Sequence, residues 1–151
     1  MDKMRALRNV ANAVNLSTPL GIALGLAGRG RLRRHGHLLV FENVKLPLLN
    51  ASAMTVGDVV LVPGRTVEEA SARIPHLMAH EDAHAWQYAY CLGLPFLPLY
   101  GLAVLWSMVR SGDRATANHF EVQADLLMGG YRVGEKRPVR EGMKALFKRA
   151  G

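Results

Sequence analysis

The spacing of apolar and polar residues divides the chain into helical stretches, strand-like stretches and breaks. Residues 4–14 place Met4, Leu7, Val10, Ala11 and Val14 on one side of a helix. Asn15-Leu-Ser-Thr-Pro-Leu-Gly21 breaks that pattern, with Thr18 as a possible cap and Pro19 at a helix start. The short helix that follows, over roughly 19–27, stops in Gly28-Arg-Gly30. His37–Glu42 (HLLVFE) reads as a strand, and Met54–Val62 (MTVGDVVLV) is rich in β-branched residues. Gly57-Asp58 inside the latter is a tight hairpin turn or a bulge. Thr66-Val-Glu-Glu69 is a capping box and predicts a helix start, which Pro75 interrupts or follows with a second helix. A helix is predicted from Pro75 to about Cys91, stopped by Gly93. Asp113 or Asn118 caps the next, which runs to about Met128 and stops at Gly129-Gly130. Val139, Met143, Leu146 and Phe147 share one side of a basic amphipathic C-terminal helix. No internal repeat is visible. The pattern predicts an α+β fold, mainly helical, with a small β-sheet or hairpin.

Composition sharpens this picture. The 151 residues suit a single domain, 1–151, with a basic helical N-terminal segment over 1–34 and the basic helix over 132–151. Half the residues are hydrophobic, enough for a core without cross-links. Cys91 is the only cysteine, so no internal disulfide forms, and a reducing, cytoplasmic setting fits. The net charge of +7 is unevenly spread: +6 over 1–34, −4 over 35–131 and +5 over 132–151. The basic runs lack interleaved aromatics, which disfavours nucleic acid and leaves a solvated surface or an anionic membrane patch. Asn9, Asn12 and Asn15 interrupt the place where a secretory signal would be apolar. Leu20–Ala27 is too short to span a bilayer. Cys91–Val109 carries no charge but is punctuated by Gly93, Pro95, Pro98 and Gly101. It reads as a turn followed by a buried helix, with peripheral or embedded membrane contact as the alternative.

The chemistry concentrates in HEDAH, His80–His84. Residues four apart share a helical face, so His80 and His84 can grip one ion through their imidazoles. Zinc accepts nitrogen and carboxylate donors in a tetrahedron, and catalytic sites leave one position for water. Glu81 is adjacent but angled away, where a general base takes a proton from that water without ligating. A third ligand must come from another element. Glu121 suits that role, and Asp125, four residues on, suits a second-layer acceptor for a ligand histidine.

H-E-x-x-H followed by E-x-x-x-D resembles the gluzincin branch of zinc metallopeptidases, to which thermolysin belongs. The resemblance implies a zincin-like domain with two metal-bearing helices. It makes His80, His84 and Glu121 the zinc ligands, Glu81 the base and Asp125 the residue that orients His80. The longer string H-E-x-x-H-x-x-Q, an apolar Gly/Pro-rich link, then N-x-F-E-x-x-A is similar to small bacterial metalloprotease-like proteins of unassigned function. That similarity covers about residues 15–131. The chain departs from large gluzincins in having no large second domain between His84 and Glu121, an interval mostly filled by the uncharged link Cys91–Val109.

Other residues complete the list. Gln87 lies one turn beyond His84 and lines the site; His76, one turn before His80, is a rival ligand or a first-turn surface residue. Tyr131, His119 and Tyr88 are candidates to stabilise an oxyanion, with an ordinary packing role as the alternative for each. Trp86 and Tyr90 read as core or interfacial anchors. By analogy with zincins, Met54–Val62 supplies the edge strand that would align a peptide substrate. Two other functions fit the same residues: a non-hydrolytic protein using zinc as a staple or sensor, and a basic module for membrane or nucleic acid.

Overall fold

A computed structural model describes residues 2–47 and 49–150. Its contacts fall into two compact units, Met1–Phe96 and Leu97–Gly151.

The first unit contains helices α1 (Asp2–Val14) and α2 (Ser17–Ala27), then strands β1 (Arg31–His35), β2 (Leu38–Val44), β3 (Met54–Val56) and β4 (Val59–Pro63). Helices α3 (Val67–Arg73) and α4 (Leu77–Tyr90) follow. The strands form one mixed sheet in the order β1-β2-β4-β3, with β2 and β4 parallel and the outer pairs antiparallel. Side chains alternate across a strand, and here the alternation feeds two cores. Val40, Val60 and Val62 pack with Val67, Ala70, Leu77 and Ala85 of α3 and α4. Phe41, Val59 and Leu61 pack with Ile22 and Leu24 of α2 on the opposite face. Helix α2 lies close because it presents glycine: a Cβ on Gly25 would sit 2.3 Å from the Phe41 ring.

Gly57-Asp58 is the hairpin turn, with Gly57 at φ 65° supplying the positive angle that a two-residue turn needs. The capping box at Thr66 is complete, with Glu69 N–H donating to Thr66 Oγ1 and Thr66 N–H to Glu69 Oε2. Arg31–His35, too charged to read as a strand, pairs as the exposed edge β1. Thr18 does not cap α2. Its hydroxyl donates to Asp58 Oδ2 at 3.0 Å and accepts from Asp58 N–H at 3.1 Å.

Helix α1 packs opposite to expectation. Arg8 and Asn12 are 1% and 0% exposed, whereas Met4, Leu7, Val10 and Val14 are 57–77% exposed. Specific polar bonds account for this. Arg8 reaches Asp58 Oδ1 at 2.9 Å and Asp82 Oδ1 at 2.6 Å. Asn12 donates to Asp58 Oδ1 at 3.1 Å and to the Ala85 carbonyl at 2.9 Å. Helices α1 and α4 and the Gly57-Asp58 turn are thereby tied together around one buried guanidinium.

The second unit contains α5 (Phe96–Ser111), α6 (His119–Gln123) and α7 (Val139–Ala150). Two expectations need correction here. The helix carrying Glu121 ends at Gln123 instead of Met128, because Asp125 adopts φ 73° and its carboxylate accepts from Leu127 and Met128 N–H. Helix α5 forms after the turn but is not buried: Leu97, Leu99, Leu102, Leu105 and Trp106 are all exposed. Among the described residues no single helix is long and apolar enough to cross a membrane; one pair, Lys3–Val14 with Ser17–Ala27 and bent by 74°, has the length and composition together.

Candidate active site

Helix α4 brings the motif histidines together. The Nε2 atoms of His80 and His84 are 3.1 Å apart, and the rings meet edge to face with centroids 4.7 Å apart. Two nitrogens held at about 2.0–2.1 Å from one zinc ion at a tetrahedral angle stand about 3.3 Å apart. The pair is thus already set for a shared ion.

The Glu121 carboxylate from α6 completes the set. One ligand atom from each of His80, His84 and Glu121 lies within 4.8 Å of the others, and all three residues are buried. Asn118 starts that helix by accepting from Phe120 N–H at 3.0 Å, which sets Glu121 in its first turn. The donor set is two imidazoles and one carboxylate, a set that binds zinc and leaves a fourth position for water. The residues present fit zinc.

His84 and Glu121 each have a second partner. The Gln87 Oε1 atom is 2.8 Å from His84 Nδ1. An amide oxygen only accepts, so this contact favours the tautomer that carries the proton on Nδ1, which leaves the Nε2 lone pair to a metal. Tyr100 on α5 donates its hydroxyl to Glu121 Oε1. Sequence reasoning missed Tyr100, since it sits in the apolar link; its only signal was a lone phenol in a charge-free run.

Glu81 points to the sheet side of α4. Its Oε2 accepts from Thr55 Oγ1 at 2.6 Å, and both residues are buried. Thr55 lies on β3, the last strand of the sheet, so the edge strand and the base are directly linked. The next residue, Asp82, faces the other way and takes the ion pairs from Arg8 and Arg5. Ala85 is fully buried in the core beneath the sheet. Successive positions of HEDAHA thus serve as ligand, base, anchor, spacer, ligand and core residue.

The remaining candidates lie as follows. Asp125 is exposed, just past the end of α6, and Tyr131 is half-buried. His119 is exposed, with its ring edge to face on Phe120. Tyr88 is 1% exposed and packs on Phe96 at 4.5 Å between centroids; burial pushes its phenol far above the usual range, so it belongs to the core. His76 is an exposed N-cap of α4. Trp86 stacks on the exposed Tyr90 and lies beneath Arg8.

Comparison with family models, with curated proteins and with solved structures returns no match. The assignment therefore rests on the site. His80-Glu81-x-x-His84 with Glu121 matches the gluzincin zinc-protease active-site pattern, with Glu81 in the position of general base.

Proposed function

We propose that this chain is a zinc-dependent peptidase whose reaction is the attack of water on a peptide carbonyl. The observation that carries the reading is the convergence of His80, His84 and Glu121 donor atoms within 4.8 Å, with Glu81 unused as a ligand beside them. His80, His84 and Glu121 would hold the ion. When bound, zinc supplies a Lewis acid that acidifies water and polarises a carbonyl.

The protein's own groups do the rest. Glu81 takes the proton from the attacking water and passes it to the departing amine nitrogen. Thr55 holds one oxygen of that carboxylate by donating to Oε2, which fixes its direction. Gln87 and Tyr100 orient a histidine and the carboxylate ligand through the bonds described above. In this reading Asp125 orients His80 and Tyr131 stabilises the oxyanion. The substrate is a peptide or unfolded protein segment laid along the free edge of β3. A single cysteine, Cys91, fits a reducing compartment such as the cytoplasm.

The test is the Glu81→Gln variant. A peptidase keeps its zinc and loses turnover on a broad peptide library. Wild type with full zinc and no turnover on the same library would make the ion a structural staple or sensor instead.

A further inference from the structure

The apolar stripe of α1 is turned outward, and its polar side is fastened inward by Arg8 and Asn12. A helix that only covered a core would bury the stripe. Here Met4, Leu7, Val10 and Val14 form a continuous exposed row, and Leu16 extends it at 59% exposure. The row leads on to another apolar element. Gly93 meets Asn15 so closely that a Cβ would stand 2.5 Å from its Cγ, which seats the Leu92–Leu94 turn at the end of α1. Leu92 is 77% exposed. Contiguous exposed apolar surface of this kind marks an interaction site.

The second unit has the same feature. No charged residue occurs from Cys91 to Val109, yet Leu97, Leu99, Leu102, Leu105 and Trp106 of α5 face outward. Cations gather at the C-terminal end of this face. Arg110 lies 5.9 Å from the centre of the Trp106 ring. Arg137 donates to the Met108 and Val109 carbonyls, which fastens the segment leading into α7 at that end. Helix α7 then presents Arg140, Lys144, Lys148 and Arg149, all exposed, beside an exposed Phe147.

We propose that the outward faces of α1 and α5 are each docking surfaces for an anionic lipid bilayer, each helix lying along the surface. Length excludes spanning by either helix alone: 13 and 16 residues give roughly 20 and 24 Å against a hydrocarbon core of about 30 Å. The charge pattern selects lipid over a protein partner. Apolar side chains beside Trp, Arg and Lys match the boundary between acyl chains and anionic headgroups. The proposal does not depend on the zinc site.

Flotation of the full chain with vesicles tests it, using phosphatidylcholine alone and phosphatidylcholine mixed with phosphatidylglycerol. Wild type floats with the mixed vesicles and at least about tenfold less with phosphatidylcholine alone. The Leu102→Glu/Leu105→Glu and Leu7→Glu/Val10→Glu variants lose flotation by a similar factor while keeping wild-type circular dichroism and zinc content. If glutamate disturbs folding, serine at the same positions serves for the comparison. Three results overturn the proposal: no flotation with either vesicle, variants that float as well as wild type, or equal binding to both lipids. A wild-type dimer in analytical ultracentrifugation that the variants abolish, with no flotation, assigns the faces to a second copy and overturns it too.

Discussion

The side-chain oxygen of Gln87 lies 2.8 Å from Nδ1 of His84, and that contact decides which nitrogen of His84 is available to a metal. Gln87→Leu removes the acceptor and keeps the bulk. Outer partners of ligand histidines typically contribute about 10–100-fold in metal affinity. The expected result is a loss of that size for zinc, read by competition with a chromophoric chelator. Gln87→Glu keeps an acceptor at the same place and retains affinity. Equal affinity in Gln87→Leu and wild type would remove Gln87 from the site.

The Thr55 hydroxyl and the Glu81 carboxylate form a buried hydrogen bond of 2.6 Å. Thr55→Val is close in shape and removes the donor. A hydrogen bond to a charged group contributes about 1.5–3 kcal/mol, so kcat on a cleavable peptide should fall by roughly 10- to 100-fold. Zinc affinity should not change, because Glu81 is not a ligand. A variant that loses zinc and turnover together would show that Thr55 supports the helix and not the base.

Arg8 is the buried hub of the first unit, paired with Asp58 at 2.9 Å and with Asp82 at 2.6 Å. Arg8→Met leaves the buried Asp58 carboxylate without its cation and Asp82 with Arg5 alone, at 3.3 Å. Removing one partner of a buried pair costs about 3–5 kcal/mol, a large share of the roughly 5–15 kcal/mol that holds a domain folded. Urea denaturation should show a much lower midpoint. Adding Asp58→Asn and Asp82→Asn to Arg8→Met should recover part of it, since the stranded charges are gone. No recovery would place the loss in packing against Trp86 instead.

Asp113 gives the second unit an acid-sensitive contact. Burial raises its carboxyl, but the Thr116 and Ala115 N–H groups at 2.7 and 2.8 Å, with the Thr116 and Ser111 hydroxyls, outweigh burial and leave it below its ordinary 3.8. A carboxyl depressed in the folded state contributes stability that is fully present above 3.8 and is lost as pH falls through the folded value. Asp113→Asn should therefore be less stable than wild type near neutral pH, with the gap closing below pH 3.8. A gap that stays constant through that window would contradict the assignment.

How far the sequence could be read depends on how local each cause is. The α4 helix and the Thr66 capping box follow from neighbours within a few residues, and both formed where expected, while Gly57-Asp58, open between a turn and a bulge in the sequence, is a hairpin turn. Glu121 was legible as third ligand because a zinc site needs an anionic or neutral donor from a second element. What periodicity could not show was direction. The α1 stripe is a regular amphipathic pattern, but its polar side is buried by partners 46 to 77 residues away, at Asp58, Asp82 and Ala85. Helix α6 was overextended because Asp125, the residue that ends it, takes a positive φ that an Asp tolerates but does not announce. Tyr100 was missed for a similar reason: only folding places its phenol on Glu121.

The central claim is that His80, His84 and Glu121 form one zinc site, and elemental analysis tests it most directly. The chain is purified, supplied with zinc, dialysed and assayed for metal. One zinc per chain is expected in wild type and in Glu81→Gln, and none retained in His80→Ala or Glu121→Ala. Wild type that leaves dialysis without stoichiometric zinc, or a Glu121→Ala variant that keeps a full equivalent, would contradict it.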